Sequence, residues 1–115
     1  MNDPVPESGL DRQLALSRVG GDEELLKEIA IIFLEDYPNS LREIQAAIDS
    51  GDSSELERSA HSLKGSVANF GARDAVACAL RLEQMGRAGQ LQDCVETLRA
   101  LERALAALHL ALAAL

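Results

Sequence analysis

The stretch SAHSLKGSVANFGA, residues 59–72, combines an apolar seam on one side with a histidine, a lysine and a glycine on another. Its apolar residues, together with one from the preceding turn, alternate spacings of four and three, which is the narrow seam of a helix packed in a bundle; they are Leu56, Ala60, Leu63, Val67 and Phe70. At about 100° per residue, His61 lies roughly 140° from the centre of this seam and should face solvent. His61, Lys64 and Gly65 should share one surface patch, since positions three and four apart are neighbours on a helix.

The chain before this stretch reads as a leader followed by two helices. Residues 1–9 contain two prolines and no apolar period, which predicts a flexible leader, and a short helix is expected from Leu10 to about Arg18. Asp22 follows two glycines and should cap a long helix that ends at Gly51. Pro38 interrupts its apolar stripe, so this helix should be kinked or divided into two. The inward-facing residues expected here are Leu25, Leu26, Ile29, Ile32, Phe33, Leu41, Ile44 and Ile48.

Two further helices are expected after the stretch. Gly71 should supply a left-handed stop, and a helix from Ala72 to about Ala88 should face inward through small residues, which implies close approach to its neighbour; its inward positions are Ala75, Val76, Ala79, Leu82 and Gly86. A last helix should run over residues 91–115, with Leu91, Val95, Leu98, Leu101, Leu105, Leu108, Leu112 and Leu115 facing the core. Its apolar end, residues 104–115, is too short to span a membrane. Burial in the same domain is expected there, with self-association or contact with a neighbouring domain as the alternative.

Composition favours an all-α protein with a single domain, residues 10–115. The chain has 115 residues, is rich in Leu and Ala, and is only 3% aromatic. Its net charge of −8 disfavours nucleic acid and anionic membranes as partners. Cys78 and Cys94 lack the spacing of a zinc site or a disulfide framework and are expected as buried thiols in a reducing compartment. The first nine residues do not resemble a signal peptide, so a cytoplasmic location is expected.

His61 is the candidate functional residue, whereas His109, set among Leu and Ala, reads as incidental. Glycine inside a helix costs about 1 kcal/mol relative to alanine, and close approach of another molecule would explain Gly65. Lys64 should disfavour protonation of the neighbouring imidazole and would stabilise a phosphoryl group attached to it. No further ligands converge for a metal, and no Ser or Cys nucleophile has a base and oxyanion donors. These residues alone leave phosphoryl acceptance and a solvated surface histidine as alternatives.

The segment from Ala60 to Ala72 resembles the signature of histidine-containing phosphotransfer (HPt) domains, A-H-x-L-K-G-x-x-x-x-x-G-A, with no departure at its core. The segments GGDEELL, residues 20–26, and LEQMGRAG, residues 82–89, are similar as well, so that the resemblance covers roughly residues 10–108. It implies an antiparallel four-helix bundle with one or two short accessory helices and no nucleotide site.

The resemblance also implies a role for each residue of the patch. His61 would accept the phosphoryl group, Lys64 would be the phosphate partner, and Gly65 would give a receiver domain access. The partners would be receiver domains of response regulators or hybrid histidine kinases, and the protein would be a stoichiometric carrier rather than an enzyme. No cofactor is expected in this chain, because the Mg²⁺ that assists transfer would belong to the receiver. A monomer is expected, with self-association through the last helix as the alternative.

Three other functions are alternatives to this one, and the first is a phosphotransfer-like protein that acts as a phosphatase or anti-regulator. A dimerising phosphoacceptor segment of a histidine kinase also exposes a histidine on a helix, but usually has an acidic residue directly after it, whereas Ser62 follows His61. A helical interaction module that is not phosphorylated would use the leucine-rich last helix as its working surface.

Overall fold

The computed structural model describes residues 9–115, which form five α-helices and, within that range, no strand. The predicted leader, residues 1–9, lies outside the described part of the chain apart from Gly9. The helices are α1 (Arg12–Arg18), α2 (Glu23–Ser50), α3 (Ser53–Ala68), α4 (Arg73–Ala88) and α5 (Cys94–Ala113). The short connections between successive packed helices make α2 to α5 antiparallel neighbours. The predicted antiparallel four-helix bundle with a short accessory helix is therefore confirmed.

The helix boundaries follow from capping residues. The Asp22 carboxylate accepts a hydrogen bond from the Leu25 backbone N–H at 3.1 Å, and Asp52 does the same for Glu55 at 3.0 Å. Gly51 and Gly71 have φ values of 70° and 62°, the left-handed conformation that glycine adopts without steric cost. These caps were predicted at Asp22, Gly51 and Gly71. One helix runs without interruption through Pro38, so of the two predicted alternatives a single long helix is present and two separate helices are not.

The accessory helix α1 covers the turn between α3 and α4. Its cap is Asp11, whose backbone N–H donates to the Phe70 carbonyl at 2.9 Å. A Cβ at Gly71 would lie 2.5 Å from Asp11 Cβ, so only glycine fits this turn. The helix begins at Arg12, two residues later than the expected Leu10, because Asp11 caps it.

The seam of α3 lies at the centre of the core. Leu56, Ala60, Leu63, Val67 and Phe70 all have relative exposures of 0–1%. The ring of Phe70 meets that of Phe33 from α2 edge to face, with centroids 5.2 Å apart. The α3 helix is thus held firmly by one face, which leaves the opposite face free for function.

The small residues of α4 allow close contact with α3, as predicted. A Cβ at Gly86 would lie 2.6 Å from the Glu57 backbone nitrogen and 2.8 Å from the Ser53 carbonyl oxygen. Ala75, Ala79 and Leu82 are buried on the same face, whereas Val76 is only partly buried. The backbones of α3 and α4 therefore approach so closely that side chains on their edges can meet.

Two apolar stripes were predicted too wide. In α2, Leu25 and Ile32 are 39% and 57% exposed, because they lie at the edge of an apolar stripe whose buried centre includes Leu26 and Phe33. In α5, Val95 is 47% exposed, and Cys94 occupies the inward position instead. Both spacings fit a helical seam, since Cys94 lies four residues before Leu98 and Val95 lies three before it.

The end of α5 is buried in the bundle on one face only. Leu105, Leu108 and Leu112 are at most 3% exposed, which confirms burial in the same domain, but Leu110 is 74% exposed. His109 makes a structural contact here, because its Nδ1 lies 2.7 Å from the Tyr37 hydroxyl and so joins α5 to α2. No helix in residues 9–115 is both long and apolar enough to cross a membrane.

Candidate functional site

His61 projects from the solvent face of α3, as the spacing predicted. Its side chain is 68% exposed, although Ala60, the residue before it, is completely buried. The rigid seam on the other side of the helix fixes the position of the imidazole without enclosing it. An exposed imidazole on a fixed backbone is suited to contact with a large partner.

Gly65 leaves the surface beside His61 open. A Cβ built at Gly65 would meet no heavy atom of a neighbouring element within 4 Å, so no packing inside the described chain requires a glycine there. Gly86 is the opposite case, because its missing side chain makes room for α3. The helical glycine at position 65 thus has no internal explanation, and its cost of about 1 kcal/mol relative to alanine points to an external molecule.

The structure adds Glu83, from α4, as a central residue of the site. Its Oε1 lies 3.2 Å from His61 Nδ1 and 2.7 Å from Lys64 Nζ. The Glu83 residue is only 4% exposed, so its carboxylate is a buried charge whose stability depends on these partners. The sequence held one signal for it: Glu83 lies four residues after Ala79 and three before Gly86, and is thus an acidic residue on the packed face of α4.

Two more residues extend this network along the α3–α4 boundary. Arg87 Nη2 donates to Glu83 Oε2 at 2.9 Å, and Arg87 Nε donates to Glu57 Oε2 at 2.8 Å. Glu57 lies on α3 beside the point where Gly86 admits the α3 backbone. The close contact of the two helices therefore brings Glu57, Arg87 and Glu83 into one chain of ion pairs that ends at His61.

The charges of this network determine which nitrogen of His61 is free. The hydrogen bond from Lys64, and to a smaller extent that from His61, lowers the pKa of Glu83 against the opposing effect of burial. Glu83 is therefore ionised at neutral pH, and a carboxylate can only accept hydrogen bonds. It follows that His61 Nδ1 carries the hydrogen in this contact. In the neutral ring the lone pair then lies on Nε2, which makes no hydrogen bond within residues 9–115.

The position of Lys64 differs from the expectation drawn from the sequence. From the sequence, Lys64 is expected to disfavour protonation of the neighbouring imidazole. Its ammonium group is bound to the Glu83 carboxylate, to the same oxygen that contacts His61. The positive charge beside the imidazole is therefore offset by Glu83, which would compete with a phosphoryl group for Lys64.

A groove between α2 and α3 opens on the other side of α3 and has a volume of about 200 Å³. Its walls include Ile32, Phe33, Tyr37, Leu63 and Ser66. Leu63 and Ser66 follow His61 closely in sequence on α3. The exposed Ile32 side chain provides an apolar rim to this groove.

The described residues contain no metal-binding cluster. No group of three or more His, Cys, Asp or Glu side chains in residues 9–115 is arranged to hold a metal ion. Cys78 and Cys94 are both free thiols; Cys94 is buried, but Cys78 is only partly so, which corrects the expectation that both are buried. The groups present in the site around His61 are a nucleophilic nitrogen, a cation and an open surface.

These features define a helical-bundle carrier of the phosphotransfer class. The family model described as Hpt domain matches residues 28–111, and the chain belongs to this family. As a member of it, the protein has a histidine phosphotransfer role in a phosphorelay, and its partners are receiver domains. Membership sets aside the kinase segment and the interaction module that is not phosphorylated.

Solved structures agree with this assignment. The fold is similar to that of histidine-containing phosphotransfer protein B (HptB) from Pseudomonas aeruginosa PAO1, with a TM-score of 0.86 and 28% identity over 96% of this chain and 94% of that one. It is also similar in fold to the HPT domain of a sensor hybrid histidine kinase from Shewanella, with a TM-score of 0.78 and 19% identity over 92% of each chain. Among curated proteins, none matches this sequence.

Proposed function

We propose that His61 is the phosphoryl acceptor of this phosphotransfer domain and that it reacts through Nε2. The observation that carries the proposal is the contact of His61 Nδ1 with the ionised Glu83 carboxylate, which leaves Nε2 as the nucleophilic nitrogen. The Nε2 lone pair attacks the phosphorus of a receiver's aspartyl phosphate. A nitrogen–phosphorus bond forms, the bond from phosphorus to the aspartyl oxygen breaks, and its electron pair remains on the released carboxylate. The same steps in reverse pass the group to the aspartate of another receiver.

The other residues of the patch have distinct parts in this reaction. Glu83 offsets the positive charge that develops on the imidazole as Nε2 bonds to phosphorus, because its oxygen is already 3.2 Å from Nδ1. Lys64 compensates the charge of the phosphoryl oxygens after it leaves Glu83. Gly65 lets the receiver surface approach the imidazole, and the apolar rim at Ile32 offers further contact area.

Catalysis by this chain consists of positioning the acceptor. Phosphoryl transfer depends mainly on alignment and charge neutralisation, and the Mg²⁺ that contributes to both belongs to the receiver. The protein is accordingly a stoichiometric carrier without a nucleotide site, and acts as a monomer. Because Cys78 and Cys94 are free thiols, a reducing cytoplasm is the compartment that suits it.

The test is phosphoryl transfer from phosphorylated receiver domains of the same organism, prepared with labelled phosphate. The expected product is protein-bound label that is stable in alkali and labile in acid. His61→Gln should acquire no label, whereas His109→Gln, which alters the other histidine, should acquire as much as the unmodified protein. Label retained by His61→Gln would overturn the assignment of His61.

A further inference from the structure

We propose that Arg87, backed by Glu57, is a positioning residue that holds Glu83 against His61 while Lys64 moves to the phosphoryl group. The inference rests on the proposed function of His61. In the resting protein Lys64 Nζ is bound to Glu83 at 2.7 Å, and in this proposal a phosphoryl group on Nε2 draws the ammonium away from the carboxylate. Something has to keep the buried carboxylate in place during that exchange.

The two carboxylate oxygens of Glu83 have different hydrogen-bond partners. Oε1 receives the hydrogen bonds of His61 and Lys64, while Oε2 receives that of Arg87 at 2.9 Å. When Lys64 departs, Oε1 keeps its contact with His61 and Oε2 keeps its cation. The carboxylate is never left without a positive partner, which matters because its side chain is 5% exposed and an unpaired buried charge is strongly unfavourable.

Arg87 is itself restrained from the opposite helix. Its Nε donates to Glu57 Oε2 at 2.8 Å, while its Nη2 donates to Glu83, so the guanidinium bridges carboxylates of α3 and α4. Glu57 can reach it because Gly86 lets the α3 backbone come within 2.6 Å of a Cβ position. The planar guanidinium held at two points fixes the orientation of the Glu83 carboxylate as a freely rotating lysine would not.

Arg87 differs from the residues of an ordinary surface ion pair in the partner it binds. Pairs in which both side chains are exposed contribute little to stability. Arg99 and Glu102 on α5 form such a pair, at side-chain exposures of 49% and 38%. What distinguishes Arg87 from Arg99 is that its partner is the buried carboxylate in contact with the imidazole.

The consequence for the reaction is a fixed tautomer throughout the cycle. With Glu83 in place, His61 Nδ1 retains its hydrogen, and attack through Nε2 requires no proton to leave the ring. Were Glu83 to turn away with Lys64, the hydrogen could move to Nε2 and block the nucleophile. Arg87 thus acts on His61 through Glu83.

The experiment measures the tautomer of His61 by the nitrogen chemical shifts of the imidazole in protein labelled with ¹⁵N-histidine, without any phosphoryl group. Replacing Lys64 with methionine imitates its departure. Lys64→Met alone and Arg87→Met alone should each keep the Nδ1–H form, since one cation remains on Glu83. The double variant should lose it and give the spectrum of Glu83→Gln. Arg99→Met is the matched control and should change nothing.

Loss of the Nδ1–H form in Lys64→Met alone, or its retention in the double variant, would overturn the proposal. Should the double variant not fold, two other double variants replace it, Lys64→Met with Arg87→Lys and Lys64→Met with Glu57→Gln. The variant with Arg87→Lys should keep more of the Nδ1–H form than the variant with Glu57→Gln. Equal spectra of the two would contradict the bridging role of Arg87.

Transfer kinetics give a second readout. Arg87→Met should slow the transfer step about tenfold without weakening receiver binding, by analogy with the loss of activity when the residue that orients a metal-binding histidine is removed. An unchanged transfer rate in Arg87→Met would contradict the proposal. Since the tautomer is measured without any phosphoryl group, failure of the positioning role of Arg87 is distinguishable from failure of His61 as acceptor, which the labelling experiment detects separately.

Discussion

Replacing Gly86 with alanine tests whether the close contact of α3 and α4 is as tight as the structure has it. Inside a helix, glycine to alanine normally stabilises by up to about 1 kcal/mol, because the unfolded chain loses freedom. At Gly86 the added Cβ would lie 2.6 Å from Glu57 N and 2.8 Å from Ser53 O. Ordinary contact begins at 3.4 Å, so the nearest distance is 0.8 Å too short, and both obstacles are backbone atoms that cannot rotate away.

The two effects can be weighed against each other. Overpacking of a core costs typically about 1–3 kcal/mol, and contact with a helix backbone on two atoms places Gly86→Ala near the upper end. Subtracting a helical gain of up to about 1 kcal/mol leaves an expected net loss of about 1–2 kcal/mol in the free energy of unfolding. Gly65→Ala is the matched control, since its Cβ would meet nothing within 4 Å, and it should gain about 0.5–1 kcal/mol.

Urea denaturation followed by circular dichroism at 222 nm measures both variants. The midpoint should fall for Gly86→Ala and rise for Gly65→Ala, with the dependence on urea unchanged. If Gly86→Ala were as stable as the unmodified protein while Gly65→Ala gained stability, the α3–α4 distance inferred from the structure would be refuted. The same variant should disturb the site, because Glu83 lies one turn before Gly86 on α4.

Three further predictions concern the core, the buried carboxylate and the thiols. Leu63→Ala, at 1% exposure, should lose about 2–5 kcal/mol of unfolding free energy in urea titrations, and a loss below that range would mean the seam is not the centre of the core. The pKa of Glu83 is lowered mainly by Lys64, so the ionised Glu83 stabilises the fold above its unfolded pKa of 4.5, and this contribution is lost as the pH falls through the lower folded pKa. The difference in unfolding free energy between the unmodified protein and Glu83→Gln should therefore shrink below pH 4.5. A difference that stays constant with pH would contradict this prediction. Burial raises the pKa of both thiols, but Cys94 is 0% exposed whereas Cys78 is only partly buried. A thiol reagent should therefore modify Cys78 first and Cys94 only on unfolding. Equal rates of modification would contradict the structure.

Local signals in the sequence predicted most of the fold. The seam of α3 could be read from its own spacing, and the caps at Asp22 and Gly71 depend only on neighbouring residues. The exposure of His61 followed from the same arithmetic, because one buried face fixes the direction of every other position on a helix. Burial was harder to predict for residues at the edge of an apolar stripe. Cys94 and Val95 fit the helical period equally well, and tertiary packing determines which of the two is buried.

Contacts between distant residues could not be predicted in this way. Glu83 meets His61 across 22 positions of sequence, and the Tyr37 hydroxyl meets His109 across 72. Helical spacing predicts only which residues of one helix are neighbours. These two pairs depend instead on the distance and rotation between two helices. For α3 and α4, Gly86 sets that distance. The contacts of His61 with the polar network could therefore not be predicted, although the exposure of His61 and an acidic residue on the packed face of α4 could be read from the spacing.

The central claim is that His61 accepts the phosphoryl group on Nε2, and nuclear magnetic resonance of the phosphorylated protein tests it most directly. Protein labelled with ¹⁵N-histidine would be phosphorylated by a phosphorylated receiver domain, and the nitrogen bonded to phosphorus identified from phosphorus and nitrogen spectra. We expect one phosphohistidine, at position 61, with phosphorus on Nε2 and hydrogen retained on Nδ1. Phosphorus on Nδ1 of His61, or on His109, would contradict it.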